Sequence, residues 1–328
     1  MKAVVVTKSI GPDGLELQQV EDPVPAAGEV LVRVEAVGVN FADVLGAMGK
    51  YPGGPEPPYV YGREFAGTVV STGERVMGYT QSGACAELVA AKEKMVWAWP
   101  EEFSADEAAA FPVNYLTAWA CYWKAGLVPG IAAADGSPIG TEKPFRALIH
   151  GAAGGVGTAG VQLGKLFGFE VFGTSSSDEK LERMKQYGLT HPINYKTEDY
   201  EQRVKEITGG DGVDIVFDSL AGEHTAKSLR CCRRFGRVMM YGNNSGERPR
   251  LDTMAMYARC LSVHGIWLSR LSEDSALMKK ALDSMMPWIT GGELKPVVGA
   301  TLPMEKAADA FRLLAERKNF GKVVVRVG

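Results

Sequence analysis

Between residues 147 and 157 the chain reads Ala147-Leu148-Ile149-His150-Gly151-Ala152-Ala153-Gly154-Gly155-Val156-Gly157, a short apolar run passing straight into a glycine-rich turn. The segment that follows carries small or apolar residues at Val156, Ala159, Gly160, Leu163 and Phe167, a spacing that places them on one face of a helix. Strand, turn and helix together make a phosphate cradle. Gly154 lets the backbone approach a pyrophosphate, and Gly157 lets the helix pack closely on the strand. The free N–H groups and positive dipole end of the helix then meet the phosphate charge. Ala152 stands where the first glycine of such a turn usually sits, so the flanking strand and helix carry the inference. The competing reading is a turn that merely packs tightly.

A second group of polar residues lies where the sugar end of a dinucleotide would fall. The next strand, Glu170–Thr174, ends in Ser175-Ser176-Ser177, with Lys180 one helical turn later and Tyr195 just beyond the third strand. A site for NAD places a carboxylate about 20 residues past the turn, to accept from the ribose 2′-hydroxyl. Here three hydroxyls and a lysine suit a phosphate. Asp178 and Glu179 have a local explanation as first-turn acids behind an N-capping Ser177. The expected cofactor is NADPH.

These residues need a scaffold, and the alternation of elements supplies one. Strand-type segments at Ala147–Gly151, Glu170–Thr174, Pro192–Asn194, Asp214–Asp218, Arg237–Tyr241 and Leu261–Ile266 alternate with helical ones at Gly155–Phe167, Asp178–Tyr187, Tyr200–Thr208 and His224–Arg233. That pattern predicts a doubly wound parallel sheet of the α/β class. Before it come β-type runs at Ala3–Thr7, Glu29–Val37, Gly67–Ser71 and Glu87–Ala91, then a helix over Leu116–Gly126. After it come helices over about Ser272–Thr290 and Met304–Arg317 and a last strand, Lys322–Val327, expected to return to the first domain. The predicted division is a mainly β domain made of 1–118 and 268–328 and a dinucleotide-binding domain of 119–267. Ile131–Pro144, rich in Gly, Ala, Ser and Pro, reads as an exposed loop.

The 328 residues suffice for two cores, and 46% apolar with 23% charged residues is a globular composition. A net charge of −3 without a long basic run argues against nucleic-acid or anionic-membrane partners. No stretch approaches the ~20 apolar residues of a membrane helix. Five scattered cysteines fit a reducing compartment, so the expected location is the cytoplasm.

Beyond the glycine-rich turn, six further stretches resemble the medium-chain dehydrogenase/reductase superfamily, in its quinone oxidoreductase branch. They are Gly38-Val39-Asn40-Phe41-Ala42-Asp43, Val113–Ala118, Ile193-Asn194-Tyr195, Asp218–Gly222, Arg237–Gly242 and Lys318-Asn319-Phe320-Gly321-Lys322. Pro112–Ala118, Thr190–Tyr195 and His224–Ser228 look especially like the vesicle amine transport protein homologues. The resemblance spans nearly the whole chain. It implies a GroES-like catalytic domain joined to a Rossmann domain, with the active site in the cleft between them. By matched motif it places Asn40 in the cleft, Thr117 near the nicotinamide ribose and Ala153, Gly154, Gly155 and Val156 at the pyrophosphate. Ser175, Lys180 and Tyr195 fall at the adenosine phosphate, and Tyr241 and Gly242 at the dinucleotide edge. Gly265, Ile266 and Trp267 fall at the nicotinamide, and Asn319 at the cleft wall. Three departures bear on the substrate site: a short Val69–Val76 segment, a long Ile131–Pro144 loop, and Leu45 where some relatives have tyrosine.

Zinc-dependent members hold their metal with a Cys, a His-Glu pair and a further Cys or Asp. This chain has Asn40 at the first position and Arg63 beside Glu64 at the second, and a guanidinium does not ligate zinc. The four histidines, His150, His191, His224 and His264, read as structural or surface residues, and Cys231-Cys232 as packing on a helix. No metal is expected. Without a Lewis acid, reducing an activated acceptor is easier than oxidising a simple alcohol. The resulting expectation is NADPH-dependent reduction of quinones or α,β-unsaturated carbonyls. Asn40 would donate a hydrogen bond to the acceptor carbonyl, or serve as a turn residue bonding its own backbone. Tyr51 would be a proton donor, a stacking wall or a loop aromatic. The alternatives are an enoyl-thioester reductase and a nucleotide-binding structural or regulatory protein with little turnover. Val263–Trp267 reads as an edge strand, which predicts a homodimer.

Overall fold

The structure, a computed structural model, describes residues 1–131 and 144–328. Apart from its two end residues, the loop expected at Ile131–Pro144 lies outside the described residues. The chain divides into two compact units, Met1–Leu116 with Ser269–Gly328, and Thr117–Leu268.

The first unit opens with eight strands: β1 (Lys2–Val6), β2 (Leu15–Gln19), β3 (Glu29–Val39), β4 (Tyr59–Val60), β5 (Glu64–Val69), β6 (Arg75–Tyr79), β7 (Leu88–Lys92) and β8 (Val96–Ala98). Helix α1 (Phe41–Ala47) follows β3; α2 (Ala105–Ala108) and α3 (Pro112–Lys124) follow β8. Helix α3 starts at Pro112, ahead of the expected Leu116, because proline is at home in a first turn where its missing N–H has no intrahelical partner. β5 starts at Glu64 and ends at Val69, earlier than expected. The short turn Val70–Glu74 brings the chain back into β6, with Gly73 at φ +77°.

The second unit alternates β9 (Arg146–Ile149), α4 (Gly155–Leu166), β10 (Glu170–Ser175), α5 (Asp178–Lys185), β11 (His191–Asn194), α6 (Tyr200–Ile207), β12 (Val213–Asp218), α7 (Glu223–Cys231), β13 (Cys232–Met240), α8 (Thr253–Arg259) and β14 (Ser262–Gly265). The chain then forms α9 (Leu268–Leu271), α10 (Ser275–Thr290), β15 (Val298–Pro303), α11 (Ala307–Ala315) and β16 (Lys322–Arg326).

The second unit's sheet runs β11-β10-β9-β12-β13-β14, and every pairing in it is parallel. This is the doubly wound order of a Rossmann domain, with its switch between β9 and β12. β12 is buried along its whole length, as a central parallel strand should be. Leu148, Phe172, Ile193, Val216 and Val238 fill the core beside it. β13 begins earlier than expected, so Cys232 opens a strand while Cys231 closes α7; the two do not share one helix. Its pairing with β12 is interrupted between Val213↔Cys232 and Ile215↔Arg237, where Phe235 takes φ +65°.

In the first unit a larger sheet runs β15-β16-β3-β5-β6-β8, with β7 also on β3, and a small sheet runs β2-β1-β4. The last strand, β16, lies antiparallel on β3, pairing Val323 with Val39. Val34, Phe65, Val76, Phe311 and Val325 belong to this unit's core.

His150, at the end of β9, is 1% exposed. Its Nδ1 lies 3.1 Å from Thr174 Oγ1 and its Nε2 3.0 Å from Ser228 Oγ, while its ring meets the Tyr200 ring edge-on at 4.9 Å. One imidazole thus ties β10, α6 and α7 together. His191 pairs with Glu170, His224 with the Tyr200 hydroxyl and His264 with Ser262, so all four histidines have structural partners. Burial pushes the His150 imidazole down to about 4, against the pull of Asp218 and with help from His224 and Lys227. The unfolded chain therefore takes up this proton at a higher pH than the folded one, and stability falls as pH drops from the ordinary histidine range towards 4. Asp43 and Asp214, whose carboxyls burial lifts to about 6, act in the opposite sense. Comparing wild type with His150→Gln isolates the imidazole. In urea unfolding between about pH 7 and about pH 4.5, wild type should lose about 2 kcal/mol more than the variant. Equal losses would show that His150 does not titrate in this way.

Candidate functional site

In the second unit the sites proposed for the dinucleotide gather at the carboxyl ends of the parallel strands. After β9 the chain turns at Gly151, φ +63°, and the Gly154 N–H donates to Gly151 O at 2.8 Å, so the turn delivers Gly154 as the N-cap of α4. A Cβ on Gly157 would sit 2.2 Å from Gly151 O and 2.8 Å from Ala152 Cα, so only glycine lets the helix start this close to the turn. A Cβ on Gly154 would meet only Gly151 O, at 3.3 Å. The first N–H groups of α4 have no acceptor within their helix, which makes its N-terminus a place for phosphate oxygens. Ala153 is buried, while Gly154, Gly155 and Val156 are partly exposed.

Ser175 ends β10, and Tyr195 follows β11, its N–H donating to Ser175 O at 3.1 Å. Ser177 caps α5, accepting from Lys180 N. Burial lowers the Lys180 ammonium, while Tyr195 and Glu179 act against that shift. The Asp178 carboxylate accepts from Asn194 Nδ2 at 2.9 Å and so already has a partner in the fold. Tyr241 and Gly242 follow β13; Gly265 ends β14, and Ile266 and Trp267 follow it, with Ile266 buried and Trp267 45% exposed. The Ile266 N–H donates to Met240 O at 2.8 Å. Thr117 lies buried on α3.

The first unit holds Asn40, Tyr51 and Asn319, and here the geometry changes the sequence reading. Asn40 stands before α1, its backbone N–H donating to Asp43 Oδ2 at 2.8 Å. Its side-chain amide donates to Gly38 O at 3.2 Å and to Glu64 Oε2 at 3.0 Å, while its Oδ1 accepts from Lys322 Nζ at 2.7 Å. Both amide hydrogens have partners in the fold, so in this conformation Asn40 anchors its own turn and its neighbours, the arrangement expected of the turn-residue reading. Lys322 also pairs with Glu64 Oε2, and Glu64 Oε1 accepts from Val113 N at 2.6 Å. The Lys322 and Glu64 side chains are 2% and 0% exposed. A Cβ on Gly38 would strike Lys322 Cε at 2.6 Å and Glu64 Oε2 at 2.8 Å, which explains the glycine before Val39-Asn40. The sequence reading had Lys322 only as the end of a matched motif and the start of the last strand; its pairing with Glu64 was not foreseen, although a lysine heading the apolar run Val323-Val324-Val325 was the signal for it.

Arg63 turns to Asp43, with Nε 3.4 Å from Oδ1, and lays its guanidinium over the Tyr51 ring, 4.1 Å from the centroid. Asn319 closes its own turn by donating to Gly321 O at 2.9 Å. Among the described residues no group of three or more His, Cys, Asp and Glu side chains could hold a metal ion, and no helix is long and apolar enough to cross a membrane.

Comparison with known proteins places this geometry in a family. The alcohol dehydrogenase GroES-like domain matches residues 26–101, and the zinc-binding dehydrogenase family matches residues 155–286. A synaptic vesicle membrane protein VAT-1 homolog from Rattus norvegicus is 36% identical, over 100% of this chain and 84% of its own length. The quinone oxidoreductase of Thermus thermophilus, solved alone and with NADPH, is 34% identical with a TM-score of 0.86 and full coverage of both chains. The Escherichia coli quinone oxidoreductase solved with NADPH is 27% identical, with a TM-score of 0.87 and full coverage of both chains. With the Rossmann strand order, the glycine-rich turn and the GroES-like unit already in place, these matches show that the chain is an oxidoreductase of the medium-chain dehydrogenase/reductase superfamily, in the branch that contains the quinone oxidoreductases and the VAT-1 homologues.

Proposed function

We propose that this protein uses NADPH to reduce quinones or α,β-unsaturated carbonyls by hydride transfer, without zinc. The observation that carries the reading is the Lys322–Glu64–Asn40 set. At the positions where zinc-dependent relatives offer Cys and His, this chain has an asparagine with both amide hydrogens committed and an arginine held by Asp43. The Glu64 carboxylate is fully engaged by Lys322, Asn40 and Val113. A divalent cation would have to displace the buried Lys322 ammonium, so these residues do not fit a zinc ion.

The second unit's residues fit a dinucleotide phosphate. The turn at Gly151–Gly157 would take the pyrophosphate on its N–H groups, and Ser175, Lys180 and Tyr195 would surround the 2′-phosphate. When bound, the nicotinamide supplies the hydride. The protein's part is then to orient the acceptor and exclude water. Tyr51, held against Arg63, is proposed as the aromatic surface that seats a planar acceptor. The direct assay is NADPH oxidation with a panel of quinones, enones and enoyl thioesters, run on chelator-treated enzyme. Turnover of quinones or enones with no stoichiometric zinc supports the proposal. Activity that appears only with zinc contradicts it, and turnover of enoyl thioesters alone assigns the enoyl reductase alternative.

The cofactor reading makes its own prediction. Gly154→Val should still fold, since a Cβ there meets only Gly151 O, at 3.3 Å, a close contact that a shift of a few tenths of an ångström in the turn relieves, yet it should lose NADPH binding because the side chain enters the pyrophosphate space. Lys180→Ala should cut kcat/KM for NADPH about tenfold and leave NADH nearly unchanged, a charge-assisted bond to a half-exposed phosphate site being lost. A wild-type ratio of NADPH to NADH at or below one contradicts the assignment.

We also propose a homodimer through β14. It ends the sheet, and Trp267 at 45%, Met254 at 71% and Tyr257 at 83% exposure lie close to it along the chain. An open edge with exposed apolar neighbours is the kind of surface a two-fold partner covers. Light scattering should give twice the chain mass of 35.3 kDa, and a mass equal to one chain at micromolar concentration rules the dimer out.

A further inference from the structure

Behind the Arg63–Tyr51 contact lies a small pocket lined by Asp43, Gly46, Tyr59, Tyr61, Arg63 and Ser82, with room for a single water-sized molecule. Three of these lining residues carry a buried polar atom with no hydrogen-bond partner among the described residues: Asp43 Oδ1, the Tyr61 hydroxyl and Arg63 Nη1. Asp43, Tyr61 and Arg63 are 2%, 1% and 4% exposed. The Arg63–Asp43 approach of 3.4 Å gives attraction but no aligned hydrogen bond to Oδ1. Buried groups left in this state are costly, and three of them around one water-sized space are rare by chance.

We propose that this pocket is a built site for one water molecule and that Arg63, completed by that water, is the positioning residue for Tyr51. A water donates to Asp43 Oδ1, accepts from Arg63 Nη1 and uses a remaining site for the Tyr61 hydroxyl, which satisfies all three atoms with the valence water has. The guanidinium is then fixed on its edge by Asp43 and the water, and its face is free to carry the Tyr51 ring. Tyr51 lies in the segment after α1, where Gly49 and Gly53 take φ +65° and +68° and regular structure has ended. Arginine suits the role and lysine does not, because only a planar cation can offer an edge to hydrogen-bond partners and a face to a ring at once.

The inference rests on the proposed function only in giving Tyr51 an acceptor to seat, and the experiment separates the two. A high-resolution crystal structure of the full chain should show one water bonded to the three atoms. Side chains that pair with one another around an empty space would overturn the water site. Fluorotyrosine labelling, with the Tyr51 signal assigned by its loss in Tyr51→Phe, should give a distinct ¹⁹F resonance in wild type. It should move towards the free-tyrosine position in Arg63→Met and in the milder Arg63→Lys, which keeps a cation opposite Asp43 and so guards against misfolding. An unmoved resonance in Arg63→Lys overturns the positioning role. These readouts hold even if no quinone is turned over, which would count against the proposed function alone. With an active wild type, Arg63→Met should raise the acceptor KM about tenfold with the NADPH KM unchanged. It should add nothing further to Tyr51→Leu, whereas additive effects would show that Arg63 acts by another route.

Discussion

The ion pair between Lys322 and Glu64 is the contact on which the first unit's chemistry depends. Both side chains are buried, and an isolated charge in such a place costs several kcal/mol, so each must be met by a partner. Lys322 meets Glu64 and the Asn40 carbonyl oxygen. Glu64 meets Lys322, the Asn40 amide and the Val113 N–H. The partners come from four distant stretches of chain: the end of β3, the start of β5, the first turn of α3 and the start of β16. One network therefore fixes where the last strand joins the sheet and where the chain leaves β3 to begin α1.

The consequences pass outward from there. With Asn40 anchored, its backbone N–H holds Asp43 in the first turn of α1, and Asp43 in turn meets Arg63, the residue beside Glu64 in sequence. Arg63 carries the Tyr51 ring. A lysine ammonium and a guanidinium thus organise the region where the proposed zinc-free reading places the metal ligands of zinc-dependent relatives. This is why the proposed chemistry is the reduction of an already activated acceptor and not the polarisation of an alcohol. The second unit contributes separately, through a turn whose Gly157 admits no side chain.

What could be read from the sequence follows the range of the interactions involved. The glycine-rich turn, the Ser177 cap and the strand–helix alternation are encoded by neighbours in the chain, and their places were legible. β2, β4, β6, β8 and β15 were not picked out: β4 and β8 are two and three residues long, β2 and β15 bury no residue fully, and β6 is buried at four successive positions and so shows no alternation. Helix α8 carries apolar residues both against the core, at Ala255 and Met256, and in solvent, at Met254 and Tyr257, so no one-sided stripe betrays it. The motif around Asn40 was visible, but the two partners of its amide and the lysine on its carbonyl were not, because they are set by the fold. Lys322 and Glu64 are 258 residues apart, and no local pattern pairs them. Arg63 could be seen to exclude a metal ligand, whereas its seat between Asp43 and Tyr51 could not.

The most direct measurement is a double-mutant cycle on that central pair, read by urea unfolding of the full chain. Lys322→Met alone should cost about 3–5 kcal/mol, because it leaves the Glu64 carboxylate buried and uncompensated. Lys322→Met combined with Glu64→Gln should cost less than Lys322→Met alone, because the second change removes the stranded charge. If Lys322→Met costs under about 0.5 kcal/mol, or if the two losses simply add, the ion pair does not organise this unit and the account built on it fails.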